Sequence, residues 1–108
     1  MREFLFRCGF ETPQMAVANQ QHGWDDELSL AFFVRSETQL DALSWGCEVV
    51  NAFAGRLHAE AGVADYPSWK ESQFAYWIED DPSATYSPSE LEKLPRILHM
   101  VMPDVSTW

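Results

Sequence analysis

The side chains that could do chemistry are few, and they form no recognisable catalytic or metal-binding set. None of the three histidines, His22, His58 and His99, has another histidine, a cysteine or a carboxylate at the spacing of a metal site. Cys8 and Cys47 lack the electropositive neighbours that activate a thiol. The sequence has no nucleophile-elbow, zinc-protease or glycine-rich phosphate motif. We therefore expect a protein that is not an enzyme and that holds neither a metal nor a cofactor.

Carboxylates are the abundant polar groups of this chain. It has 17 Asp and Glu against 7 Lys and Arg, which gives a formal charge of −10. A field of this sign repels nucleic acid and anionic membranes and speeds encounter with basic proteins. The acidic stretch "EDDPSATYS" lacks the alternating oxygen ligands and central glycine of a calcium loop. The excess of acid is either tolerated for solubility or retained for a basic protein partner, and we expect no nucleic-acid and no membrane partner.

Three loops combine these carboxylates with aromatic rings: "WDDE" at 24–27, "DYPSW" at 65–69 and "EDDPSATY" at 79–86. Aromatic anchors surrounded by charge are typical of protein-binding surfaces, because rings supply contact area and carboxylates pair with Lys or Arg. The alternative is that each ring covers the edge of the core while each acid hydrates its loop. If the three loops form one surface, the partner-binding residues are Trp24, Asp25, Asp26, Glu27, Asp65, Tyr66, Trp69, Glu79, Asp80, Asp81 and Tyr86.

Four segments have the alternation of strands that bury one face. Residues 3–10 place Phe4, Phe6, Cys8 and Phe10 on one side. Residues 28–35 do the same with Leu28, Leu30, Phe32 and Val34. The other two predicted strands are "FAYWIE" at 74–79 and "RILHMVM" at 96–102, which Pro103 closes.

One long helix and two short ones are predicted between the strands. "SETQ" matches a capping box with Ser36 as the cap, and it opens an amphipathic helix over about 37–58. Gly46 lies within its apolar arc, which predicts a close approach of helix to sheet. Thr12, Pro13 and Gly23 bound a short helix at about 13–21, and Ser87 caps another within "SPSELEKL".

These elements predict a two-layer α+β sandwich, with about four mostly antiparallel strands on one long amphipathic helix and one or two short peripheral helices. We expect one compact domain over residues 1–108. The outer sheet face would carry Leu5, Phe33 and Trp77, which are large apolar groups for a face that meets water. Either a peripheral segment of the chain covers this face, as the C-terminal "PDVSTW" tail could, or a second chain does. The protein is thus expected to be a monomer or a homodimer through that face.

Several features of the chain favour a cytoplasmic protein. Both cysteines fall on apolar faces, as reduced core thiols do. Arg7 interrupts an N-terminal apolar run that is already too short for a signal peptide, and no run approaches the ~20 residues of a membrane span.

The small acidic domain with exposed rings resembles bacterial immunity proteins, which block a toxin partner. The resemblance is one of composition, and it implies a non-enzymatic inhibitor or antitoxin whose carboxylates neutralise basic groups while Trp and Tyr fill pockets. An anti-CRISPR-like inhibitor would use the same physics. The alternative is a small dimeric α+β enzyme or ligand-binding domain with a pocket between helix and sheet, lined by Tyr76, Trp77 and His99.

Overall fold

The computed structural model describes residues 1–62 and 74–108, and it has the predicted α+β architecture of one sheet packed on a long helix. Its strands and helices, in chain order, are β1 Arg2–Phe10, α1 Pro13–His22, β2 Leu28–Ser36, α2 Gln39–Glu60, β3 Ala75–Glu79, α3 Pro88–Lys93 and β4 Arg96–Leu98. Two single 3-10 turns follow β3 and β4, at Pro82–Ala84 and Val105–Thr107.

The strands of the described part of the chain lie in the order β3-β1-β2-β4. β1 pairs antiparallel with both β2 and β3, whereas β4 pairs parallel with β2. The chain therefore crosses the sheet twice. The connection from β2 to β3 contains α2, which lies on the sheet face that carries Phe6 and Phe32. The connection from β3 to β4, residues 80–95, passes over the opposite face, which carries Arg7.

The core lies between α2 and the inner sheet face, as the alternation predicts. Phe6 and Phe32 are fully buried and stack with ring centroids 5.0 Å apart. A Cβ on Gly46 would overlap the Phe6 ring, so the glycine lets the helix reach the sheet. The core cluster contains Phe6, Phe32 and Val34 from the predicted inner strand faces, together with Cys47, Val50 and Phe53 of α2, and Phe4 is partly buried against it.

Local capping signals were right for α1 and α3 and wrong for α2. Thr12 caps α1, and Ser87 caps α3 with a capping box to Glu90. Thr38, not Ser36, caps α2, with its side chain accepting from the Asp41 N–H. Ser36 instead ends β2, where its buried hydroxyl donates to the Thr38 carbonyl at 2.6 Å. Pairing of Ser36 with Arg2 keeps the chain in the sheet for one more residue than the pattern indicated.

β4 is shorter than the predicted strand 96–102. It ends at Leu98 because the next residues turn: Met100 has a φ of +68°, and the Val101 N–H donates to the Leu98 carbonyl at 3.0 Å. Within residues 1–62 and 74–108, the short β4 pairs only with Phe33–Arg35 of β2.

Residues 80–95, and not the C-terminal tail, pass over the outer sheet face. Leu5 on that face is only 2 % exposed. The tail packs on the inner side, where the Trp108 ring lies 5.0 Å from the Phe32 ring and 6.1 Å from the Phe53 ring. The reason is topological: β3 and β4 lie at opposite edges, so the connection between them must span the sheet.

Candidate protein-binding site

The loop that follows α1 presents an exposed tryptophan. Gly23 ends the helix in the left-handed conformation, with a φ of 69°, and its N–H donates to the Asn19 carbonyl at 2.8 Å. The chain then turns back, and the Trp24 ring stacks on the His22 ring with centroids 4.3 Å apart. Trp24 remains 55 % exposed in this position.

Asn19 holds this loop in place from the last turn of α1. Its Nδ2 donates to the Asp26 carbonyl at 2.9 Å, and its Oδ1 accepts from the Asp26 N–H at 3.1 Å. The same amide donates to Glu11 Oε2 at 2.7 Å. Because Asn19 is buried and its amide is satisfied on both sides, the loop is preorganised. The sequence contains only a weak indication of this role. Asparagine is unfavourable inside a helix because its side chain tends to hydrogen-bond to nearby backbone groups.

Four carboxylates belong to the Trp24 loop or are held against it by Asn19. Glu11, Asp25, Asp26 and Glu27 are all exposed. Glu27 lies over β1, where a Cβ on Gly9 would come 2.6 Å from Glu27 Oε2. Gly9 thus makes room for the carboxylate above the sheet. A rigid ring together with four carboxylates suits a partner's Lys or Arg side chains beside an apolar pocket.

The "EDDPSATY" loop uses two of its predicted binding residues within the fold. Glu79 pairs with Arg7 at 3.0 Å, and the Arg7 guanidinium lies 5.1 Å from the Trp77 ring centroid and 5.4 Å from that of Tyr86. The Arg7 hydrogen bond, with a further one from the Asp81 N–H, lowers the pKa of Glu79. These contacts fasten residues 79–86 onto the outer face.

Asp80 and Asp81 of the same loop are exposed, and Ser83 Oγ donates to Asp81 Oδ1 at 2.8 Å. They remain available for steering a basic partner.

The pairing register separates the two described acidic loops. Leu28, next to the Trp24 loop, pairs with Phe10, whereas Glu79, next to Asp80, pairs with Leu5. Leu5 and Phe10 are five positions apart on β1, a separation of about 17 Å along the strand. The two loops therefore leave opposite ends of the sheet, and the Trp24 loop is a surface of its own. Asp65, Tyr66 and Trp69 of the third loop lie outside the described residues.

The residues proposed to line an alternative ligand pocket are not neighbours. Tyr76 and Trp77 lie on β3 at one edge of the sheet, while His99 follows β4 at the other edge and contacts the Trp45 ring. The fully buried Phe6 and Phe32 lie between the two edges.

Both thiols are buried and free, as predicted. Cys8 and Cys47 are at most 2 % exposed and form no disulfide. Burial raises the pKa of each thiol to about 12, which suppresses the nucleophilic thiolate. Within residues 1–62 and 74–108, no three His, Cys, Asp or Glu side chains are grouped as metal ligands.

Comparisons with protein-family models, curated proteins and solved structures gave no significant match for this chain. None of the helices in the described part has both the length and the apolar character needed to cross a membrane.

Proposed function

We propose that this protein is a small acidic binding protein, without enzymatic activity, that occludes a basic protein partner in the manner of an immunity protein. The observation that carries the proposal is Trp24, a 55 % exposed ring on a loop fixed by the buried Asn19. A large exposed ring on a fixed loop suits an interface anchor.

Rigidity of the loop favours binding because little conformational entropy is lost when the partner docks. Trp24 would enter a pocket of the partner, and Asp25 and Asp26 would pair with Lys or Arg at its rim. Asp80 and Asp81 would contribute through the overall field, which at a formal charge of −10 attracts a basic protein from a distance. The partner would be blocked by coverage of its own basic site, as a toxin that acts on nucleic acid would be.

The proposed compartment is the cytoplasm, and the two free buried thiols support a reducing environment. Since the same acidic field repels phosphates, we propose no nucleic-acid and no membrane partner.

The test is capture of the partner on immobilised protein from a lysate of the source organism. Three proteins are compared: the native chain, Trp24→Ala, and Leu40→Ala as a control that removes a 73 % exposed apolar side chain on α2. We expect a basic protein that is retained by the native chain and by Leu40→Ala, is lost with Trp24→Ala, and is inhibited in its own activity by the native chain. Equal retention by all three proteins, or capture of acidic proteins only, would contradict the proposal.

A further inference from the structure

Part of β2 has a vacant side. β4 covers β2 only from Phe33 to Arg35, and the C-terminal turn packs against the core next to it. In the described part of the chain, no strand pairs with residues 28–32 on the side away from β1.

The backbone groups on that side can be assigned from the bonds to the β4 segment. The Phe33 N–H donates to the Pro95 carbonyl at 2.9 Å, and the Arg35 carbonyl accepts from the His99 N–H at 3.0 Å. The backbone groups of successive strand residues point alternately to the two sides of the strand. Ser29 and Ala31 therefore direct their N–H and C=O groups to the side on which Phe33 and Arg35 bond to the β4 segment, away from β1. Among the described residues these groups have no backbone partner.

A groove runs beside this edge. It has a volume of about 370 Å³ and is lined by Leu30, Ala31, Pro95, Thr107 and Trp108. A strand added next to Ser29 and Ala31 would place side chains against this mainly apolar surface. The groove and the edge therefore offer the two elements of strand addition: backbone hydrogen bonds and a pocket for side chains.

We propose that the β2 edge at Ser29–Ala31 takes up an extended basic segment of the partner protein by strand addition. Its basic character rests on the function proposed above. Asp25, Asp26 and Glu27 precede Leu28 directly, so the acidic Trp24 loop leads into the strand that carries the vacant edge. A second copy of this chain is a poor occupant because it carries the same charge of −10.

The experiment is amide hydrogen exchange by NMR on the full chain, titrated with a capped hexapeptide of alternating lysine and valine. In the free protein, Ser29 and Ala31 exchange fast while Leu30 and Phe32, which face β1, exchange slowly. With peptide, we expect Ser29 and Ala31 to be protected and the Trp24 indole signal to shift. A peptide with glutamate in place of lysine should bind much more weakly.

Two changes remove the backbone bonds selectively. Ala31→Pro deletes the outward N–H at an edge position that tolerates proline, and it should weaken peptide binding about fivefold. If that variant fails to fold, the native chain with a peptide N-methylated at alternate residues gives the same test, since the peptide loses donors on one edge.

The outcomes separate the two proposals. A Trp24 shift with no protection of Ser29 and Ala31 up to millimolar peptide overturns the edge site and leaves the proposed function standing. Protection of both amides by the lysine peptide without any change at Trp24 supports the edge and counts against Trp24 as the anchor. Protection that grows with protein concentration alone would identify a second copy as the occupant and overturn the basic segment.

Discussion

Asn19 and Asp26 are joined by two hydrogen bonds of opposite direction, from Asn19 Nδ2 to the Asp26 carbonyl at 2.9 Å and from the Asp26 N–H to Asn19 Oδ1 at 3.1 Å. One side chain thereby satisfies both backbone groups of a loop residue, as a neighbouring strand would. This relationship anchors the loop that carries Trp24, and it is the first feature to test.

Asn19→Ala should lower the free energy of unfolding by about 1–3 kcal/mol, since it leaves the Asp26 N–H and carbonyl without their partner. Amide exchange at Asp26 should quicken. Gln20→Ala, an exposed neighbour on α1, is the matched control and should change little. Urea unfolding and NMR exchange measure both effects. An unchanged unfolding midpoint and unchanged exchange for Asn19→Ala would show that the loop is not held by this residue.

Gly46→Ala should destabilise the protein, although alanine is the better helix former. The added methyl group would overlap the Phe6 ring, and overpacking of this kind costs about 1–3 kcal/mol, which outweighs a propensity gain of about 1 kcal/mol. Ser44→Ala, at an exposed position of the same helix, should be neutral or slightly stabilising. Thermal or urea unfolding measures the stability of both variants relative to the native chain. A Gly46→Ala variant more stable than the native chain would mean that α2 lies farther from the sheet than described.

The Arg7–Glu79 pair should make the free energy of unfolding depend on pH in the acidic range. The pKa of Glu79 is lowered in the folded state, mainly by the Arg7 hydrogen bond, so the unfolded state takes up a proton first as pH falls. The contribution of the pair is thus present above the ordinary glutamate pKa of 4.5 and is lost as pH falls from there through the lowered value. Glu79→Gln should be less stable than the native chain at pH 7, and the difference should shrink below pH 4.5.

The control for this effect is Glu92→Gln, an exposed glutamate on α3. Urea unfolding at several pH values compares the three proteins. A difference between the native chain and Glu79→Gln that stays constant from pH 7 to pH 3 would count against the ion pair as its cause.

Local signals in the sequence predicted most of the fold, because strands and helix ends depend on neighbouring residues. Alternating phenylalanines placed β1, and Thr12, Pro13 and Gly23 placed α1 within about one residue. The errors arose where contacts between residues that are distant in the sequence determine the ends of an element. Pairing with β1 carried β2 through Ser36 and moved the α2 cap to Thr38, and the turn at Met100 ended β4 early.

The candidate site was harder to predict than the fold. Composition identified Trp24 and its acidic neighbours, but the clamp by Asn19 depends on how α1 packs beside its own loop. Composition also grouped Glu79 and Tyr86 with these residues, whereas the structure binds both to Arg7 on the outer face. The distance between the two loops follows from the strand register, which amino-acid type does not encode.

Acids in the Trp24 loop and acids elsewhere on the surface should affect the association rate with the partner differently. Asp25→Asn with Asp26→Asn should lower the association rate more than Asp80→Asn with Asp81→Asn, since exposed charges are screened beyond a Debye length of ~8 Å. Both pairs are exposed and lose the same charge, so each is the control for the other. Association rates by surface plasmon resonance over a range of salt would measure this. Equal loss for the two pairs would indicate steering by net charge alone.

The most direct test of the central claim is the dissociation rate of the complex between this protein and its captured basic partner. Trp24→Ala should raise that rate by about 30-fold or more, which corresponds to the ~2 kcal/mol of an interface anchor. Leu40→Ala, which removes an exposed apolar side chain on α2, should leave it unchanged. A Trp24→Ala complex that dissociates as slowly as the native one would contradict the assignment of the Trp24 loop as the binding site.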